Sequence, residues 1–151
     1  MFNKYKKNVF SQNGEDGVLE ILLKKLKLLS KNKNNWCCEF GAWDGIHGSN
    51  TFNLIKKYNF KSIYIESNKQ RFKKLLKLKN KYENITAFNK KVSFKKKSIN
   101  QLDKILKKIP IDKNFDILSI DIDSHDLEVW MSLKYFKPKI VIIEVNSSIL
   151  P

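Results

Sequence analysis

The sequence predicts an α/β fold, a mostly parallel sheet with helices on both faces, and two observations predict it. Apolar runs alternate with amphipathic segments along the 151 residues, the order that parallel strands joined by crossover helices produce. Two of the runs, Ile117-Leu118-Ser119-Ile120 and Ile140-Val141-Ile142-Ile143, are almost unbroken, as strands covered on both faces require.

The elements follow in order. A helix is expected over 15–29, opened by Glu15 and Asp16, whose charges suit the positive end of a helix. Strands are expected over 36–40, 62–65, 85–92, 115–122 and 140–145. Between the second and third, residues 68–79 read as a helix with Phe72, Leu75 and Leu76 inward and lysines outward. Next, Ile99, Leu102, Ile105, Leu106 and Ile109 recur at helical spacing, with Ser98 and Gln101 placed as a capping box. Ser124 is a candidate cap for a short helix carrying Leu127, Trp130 and Leu133. The expected strand order is 3-2-1-4-5, in one domain spanning 1–151 with residues 1–30 as a helical cap segment.

Composition narrows the partners. The formal net charge is +15, from 30 basic and 15 acidic residues, yet Arg71 is the only arginine. Arginine is the usual tool for bidentate phosphate and base recognition, so the lysines read as solvated faces and no specific nucleic-acid partner is expected. Cys37 and Cys38 are the two cysteines; neighbours in a strand point to opposite faces, so they form neither a disulfide framework nor a metal site. With no apolar run near the roughly 20 residues of a membrane span, and no signal-type stretch in residues 1–10, a reduced, cytoplasmic setting is expected.

The first strand runs into Glu39-Phe40-Gly41-Ala42-Trp43-Asp44-Gly45, then Ser49-Asn50-Thr51, which can open the next helix. In an open parallel sheet ligands bind beyond the carboxyl ends of the strands. Gly41 and Gly45 would let the backbone approach a ligand, and Trp43 could line the same cleft. The second strand ends at Glu66, where a carboxylate can accept both hydroxyls of a ribose. The loop lacks the G-x-G-x-x-G of dinucleotide sites. Glu39 suits the cationic methionine end of S-adenosylmethionine and would repel a pyrophosphate, so a methyl donor is favoured.

These residues resemble the FkbM-like methyltransferases, a branch of the class I S-adenosylmethionine-dependent enzymes. The resemblance rests on Ser11-Gln12-Asn13-Gly14-Glu15-Asp16, the Glu39 to Gly45 loop, Ser49-Asn50-Thr51, Ile65-Glu66 and the segment 116–123. It implies a Rossmann-like sheet and methyl transfer to oxygen on a sugar, glycan or small metabolite. It further implies that Gly41, Ala42, Asp44 and Gly45 line the methionine end, that Glu66 holds the ribose with Ser67 beside it, and that Asp121 stands where the acceptor enters. Such sheets have seven strands; this sequence ends just after a fifth, so the last two are expected to be missing, through C-terminal truncation or because this is a minimal domain.

A second constellation comprises Asp121-Ile122-Asp123-Ser124-His125-Asp126 after the fourth strand and Glu144-Val145-Asn146 after the fifth. Methyl transfer to a hydroxyl needs alignment and help in losing a proton. Asp123, His125 and Glu144 are the catalytic candidates, with His125 or Asp123 as the base. Alternatively the carboxylates and Asn146 could hold a divalent cation, although no metal ligand set is assigned. Two other functions are weighed: an inactive S-adenosylmethionine-binding module and a nucleic-acid methyltransferase. The second lacks aromatic–arginine patches and an Asn/Asp-Pro-Pro-Tyr motif.

Overall fold

The computed structural model describes residues 2–29, 34–122 and 125–144. A 3-10 turn at Asn3–Tyr5 leads to α1 (Glu15–Lys25) and β1 (Trp36–Phe40). Then come α2 (Phe52–Tyr58), β2 (Lys61–Glu66), α3 (Lys69–Lys79) and β3 (Ile85–Asn89). The chain continues through α4 (Leu102–Leu106), β4 (Ile117–Ile120), α5 (Asp126–Ser132) and β5 (Ile140–Ile143). All strand pairs are parallel, in the order β3-β2-β1-β4-β5 expected from the sequence.

Alternation along β1 sorts the core into two layers. Trp36, Cys38 and Phe40 face one cluster, with Leu102, Ile105 and Leu106 of α4 and Val129 of α5. Cys37 faces the other, with Leu19 and Leu23 of α1, Leu54 and Ile55 of α2, and Leu75 and Leu78 of α3. Helices α1 to α3 therefore cover one face and α4 and α5 the other. This double cover is why β1 and β4 are buried throughout.

Several boundaries differ from expectation. Helix α1 stops at Lys25 rather than 29, because Lys27 takes φ 54° and Leu28 donates back to the carbonyl of Leu23 at 2.8 Å. A lysine there does the work of a C-terminal glycine. The capping box before α4 does not form: the Ser98 hydroxyl accepts from Asn100 N–H instead, Gln101 caps without its side chain, and Ile99 is exposed. β3 ends at Asn89, three residues short, and β4 is trimmed at both ends. Asp121 N–H and Glu144 N–H still continue the ladder, donating to Phe40 and Ile120 carbonyls, each at 3.2 Å.

Two helices are rotated from the expected phase. In α3, Leu78 is buried and Leu76 is exposed, with Phe72 half-buried. In α5, Val129 and Leu133 point inward while Leu127 and Trp130 are exposed. His125 stands at the α5 N-cap, and the Asp126 carboxylate accepts from Ile122 N–H at 2.9 Å; Ser124 lies outside the described residues. Among the described residues no helix is long and apolar enough to cross a membrane.

Candidate functional site

A cavity of about 870 Å³ opens along the carboxyl edge of the sheet, and every strand contributes to it. Gly41 after β1, Glu66 at the end of β2, Lys90 after β3, Asp121 after β4 and Glu144 after β5 all line it. This is where an open parallel sheet exposes loop ends rather than packed side chains. The carboxylates Glu66, Asp121 and Glu144 stand at strand ends, whereas the cations Arg71, Lys90, Lys91 and Lys95 come from α3 and the segment after β3.

Glu66 is buried, yet it forms part of the cavity wall. Its Oε2 accepts from Trp43 N–H at 2.9 Å and its Oε1 from Asn68 N–H at 2.7 Å. A carboxylate offers about four acceptor positions, so these two bonds fix its plane and leave room for two more donors. Trp43 reaches Glu66 through an uncommon backbone, φ 47°, and its ring lies 5.2 Å from the Arg71 guanidinium carbon, within cation–π range.

The glycine loop is committed internally. Gly41 and Ala42 N–H donate to the Ile65 carbonyl, and Gly45 N–H to that of Ala42. Ile46 and His47 N–H donate to the Asp44 carboxylate at 2.9 and 3.0 Å. Counting Trp43, the N–H groups of residues 41, 42, 43, 45, 46 and 47 all have protein acceptors. The glycines also have internal reasons. A Cβ on Gly41 would sit 1.5 Å from the Asp121 carbonyl oxygen, and one on Gly45 within 2.8 Å of Leu78, Leu75 and Tyr64. Close approach of chain to chain, rather than of chain to ligand, requires them.

Glu39 points away from this wall, on the face covered by α2. Its carboxylate accepts from the Ser49 hydroxyl at 2.8 Å, Asn50 N–H at 3.1 Å and the Thr51 hydroxyl. Burial pushes its carboxyl above the ordinary value, against the pull of those donors. Asn50 Nδ2 donates to Ser119 Oγ at 3.1 Å, and Tyr64 Oη lies 3.2 Å from both the Ser49 and Thr51 hydroxyls. The Ser49-Asn50-Thr51 segment therefore clips β1, β2 and β4 together. For Asp44, burial raises the carboxyl, and the bonds from His47 and two backbone N–H groups more than offset it, leaving it below its usual value.

Of the residues singled out from sequence, Gly41, Trp43, Glu66, Ser67, Asp121, His125 and Glu144 converge on the cavity. Glu39, Ala42, Asp44, Gly45, Ser49, Asn50 and Thr51 are not among its lining residues. Asp123 and Asn146 lie outside the described residues. His125 Nδ1 is 3.5 Å from Glu128 Oε1, and its ring meets Phe94 edge-on with centroids 5.0 Å apart. Among the described residues no group of three His, Cys, Asp or Glu side chains could hold a metal ion. Sequence reasoning missed Gln12, Arg71 and the segment Lys90 to Lys95. The register pairs Glu66 with Asn89, and the lining on this strand comes from the next residue, Lys90, so the rule that picked Glu66 falls one residue short on β3.

No protein-family model and no curated protein sequence matches the chain. Among solved structures it is similar to a chain from Galdieria sulphuraria assigned as a sarcosine dimethylglycine methyltransferase, with 18% identity, a TM-score of 0.50 and 91% of this chain covered. A SAM-dependent methyltransferase from Aquifex aeolicus aligns at 17% identity and a TM-score of 0.47, over 85% of this chain and 68% of that one. The chain spans about half, 51%, of the length of the Galdieria structure. The first likeness shows the fold: a Rossmann-like sheet of the kind found in methyltransferases.

Proposed function

We propose that this chain is an S-adenosylmethionine-dependent methyltransferase of FkbM-like type, acting on a hydroxyl of a sugar, glycan or small metabolite. The observation that carries the reading is Glu66. It is a carboxylate fixed by two backbone donors at the tip of β2, facing a cavity, with acceptor capacity left for a ribose diol.

A dinucleotide would also bring a ribose, but it needs backbone N–H groups to cradle its pyrophosphate. The glycine loop has its donors turned inward at six of seven positions from 41 to 47. This favours a methyl donor on different grounds from the charge of Glu39, which is spent on the Ser49–Thr51 segment that leads into α2. The acceptor class rests on the resemblance carried by the segments 11–16 and 49–51.

S-adenosylmethionine, when bound, supplies an activated methyl group. The chain's own part is to hold the ribose through Glu66 and to place a proton acceptor beside the incoming hydroxyl. His125 and Glu144 line the cavity on the β4–β5 side and suit that role. With Nδ1 of His125 facing Glu128, Nε2 is the nitrogen left to take a proton.

The test is transfer of a tritiated methyl group from S-adenosylmethionine to a panel of sugars, glycans and hydroxylated metabolites. Labelling of a hydroxyl acceptor that is lost in Glu66→Ala is expected. Cofactor binding without transfer to any acceptor would instead identify a binding module.

A further inference from the structure

The turn Ser11 to Asp16 is built with more hydrogen bonds than a surface loop needs. One oxygen of the buried Asp16 carboxylate accepts from the N–H groups of Val9, Phe10 and Ser11, each at 2.8 Å, and from the Ser11 hydroxyl at 2.9 Å. Glu15 accepts from Asn13 N–H at 2.8 Å, and Gly14 turns the chain with φ 98°. The preceding segment is pressed against α1: a Cβ on Gly17 would lie 2.0 Å from the Tyr5 carbonyl oxygen.

What this rigid turn presents is Gln12. Its side chain lies over Gly48, where a Cβ would come within 2.9 Å of Nε2, and it lines the same cavity as Gly41, Trp43 and Glu66. Its carboxamide has no hydrogen-bond partner among the described residues. Gln12 also borders a second, smaller hollow flanked by Lys6 and Lys7.

We infer that Gln12 reads the amino-acid end of the bound cofactor, an inference that rests on the reading proposed above. A ligand with its ribose on Glu66 and its amino-acid end beside Gln12 would pass Gly41 and Trp43, which line the same cavity. Gln12 closes that end. A carboxamide can donate to a carboxylate and accept from an ammonium, so one neutral side chain matches both charges of an α-amino acid. The backbone of the turn is already fixed, so only the Gln12 side chain has to be ordered on binding.

The experiment compares two ligands by calorimetry on the wild-type chain and on Gln12→Ala. S-adenosylhomocysteine carries the amino-acid end, and 5′-methylthioadenosine keeps the nucleoside and sulfur without it. Gln12→Ala should weaken S-adenosylhomocysteine on the order of tenfold, the scale of a lost bond to a charged group, and leave methylthioadenosine unchanged. Equal weakening of both ligands, or no change in either, overturns the inference. A wild-type chain that binds neither overturns the cofactor reading and this inference with it. Glu66→Ala, which weakens both ligands alike, separates the two sites.

Discussion

The N–H of Trp43 donates to Oε2 of Glu66 at 2.9 Å, so the glycine loop after β1 and the tip of β2 are joined through the carboxylate that faces the cavity. One side chain thus has a structural and a binding duty, and substitutions can separate them. Glu66→Gln keeps an oxygen for one backbone donor but loses acceptor capacity, and should weaken S-adenosylhomocysteine by about ten- to a hundredfold. Glu66→Ala strands both N–H groups and should also cost about 1–3 kcal/mol of stability. Calorimetry paired with urea unfolding distinguishes the two.

Gly41 is the second such separation. Its missing Cβ makes room for the Asp121 carbonyl, and its φ is 80°. Gly41→Ala should lower stability by on the order of 3 kcal/mol even without ligand, from a clash that backbone cannot easily relieve. Gly48→Ala would meet only the flexible end of Gln12 and should cost about 1–2 kcal/mol, from its left-handed backbone alone. Thermal unfolding of both variants, without cofactor, checks the ranking.

The paired cysteines should be chemically silent. Cys37 and Cys38 are buried on opposite faces of β1, and burial pushes the Cys37 thiol up to about 12 and that of Cys38 well above the ordinary value. A thiol reagent at pH 8 should label neither in the native protein and both in urea. Rapid native labelling would mean that β1 opens.

Glu20 makes stability depend on acid. Lys24 first, then Tyr58 and Lys57, hold its carboxyl down at about 2, against a smaller opposing effect of burial. Lys57 ties α1 to α2 at 3.1 Å. Because the folded value lies below the unfolded one, the contribution is present above about pH 4.5 and fades as pH falls toward 2. Glu20→Gln should therefore cost about 0.5–1 kcal/mol at pH 7, and the gap from wild type should narrow in acid melts.

The strands were legible because a period of two leaves little choice. Cys37 and Cys38 had to part to opposite faces, and Glu66 had to end β2 wherever a run such as Ser62 to Ile65 stopped. Short helices were less constrained: in α5, Leu127-Trp130-Leu133 and Val129-Leu133 are both acceptable stripes, and contact with β4 and α4 chose the second. The destination of Glu39 was hidden for a different reason. Its residue type suits a ligand or a buried network equally, and only the fold brings Ser49 and Thr51 onto it. Gln12 reaches the cavity across more than twenty-five residues of intervening sequence, which no local pattern encodes.

The most direct measurement is calorimetric titration of S-adenosylhomocysteine into the folded wild-type chain. One site of micromolar order is expected, with affinity lost in Glu66→Ala and little changed in Glu39→Gln, whose carboxamide oxygen can still accept from the Ser49–Thr51 segment. No binding to a folded sample, or loss through Glu39 but not through Glu66, would contradict a cofactor site at Glu66.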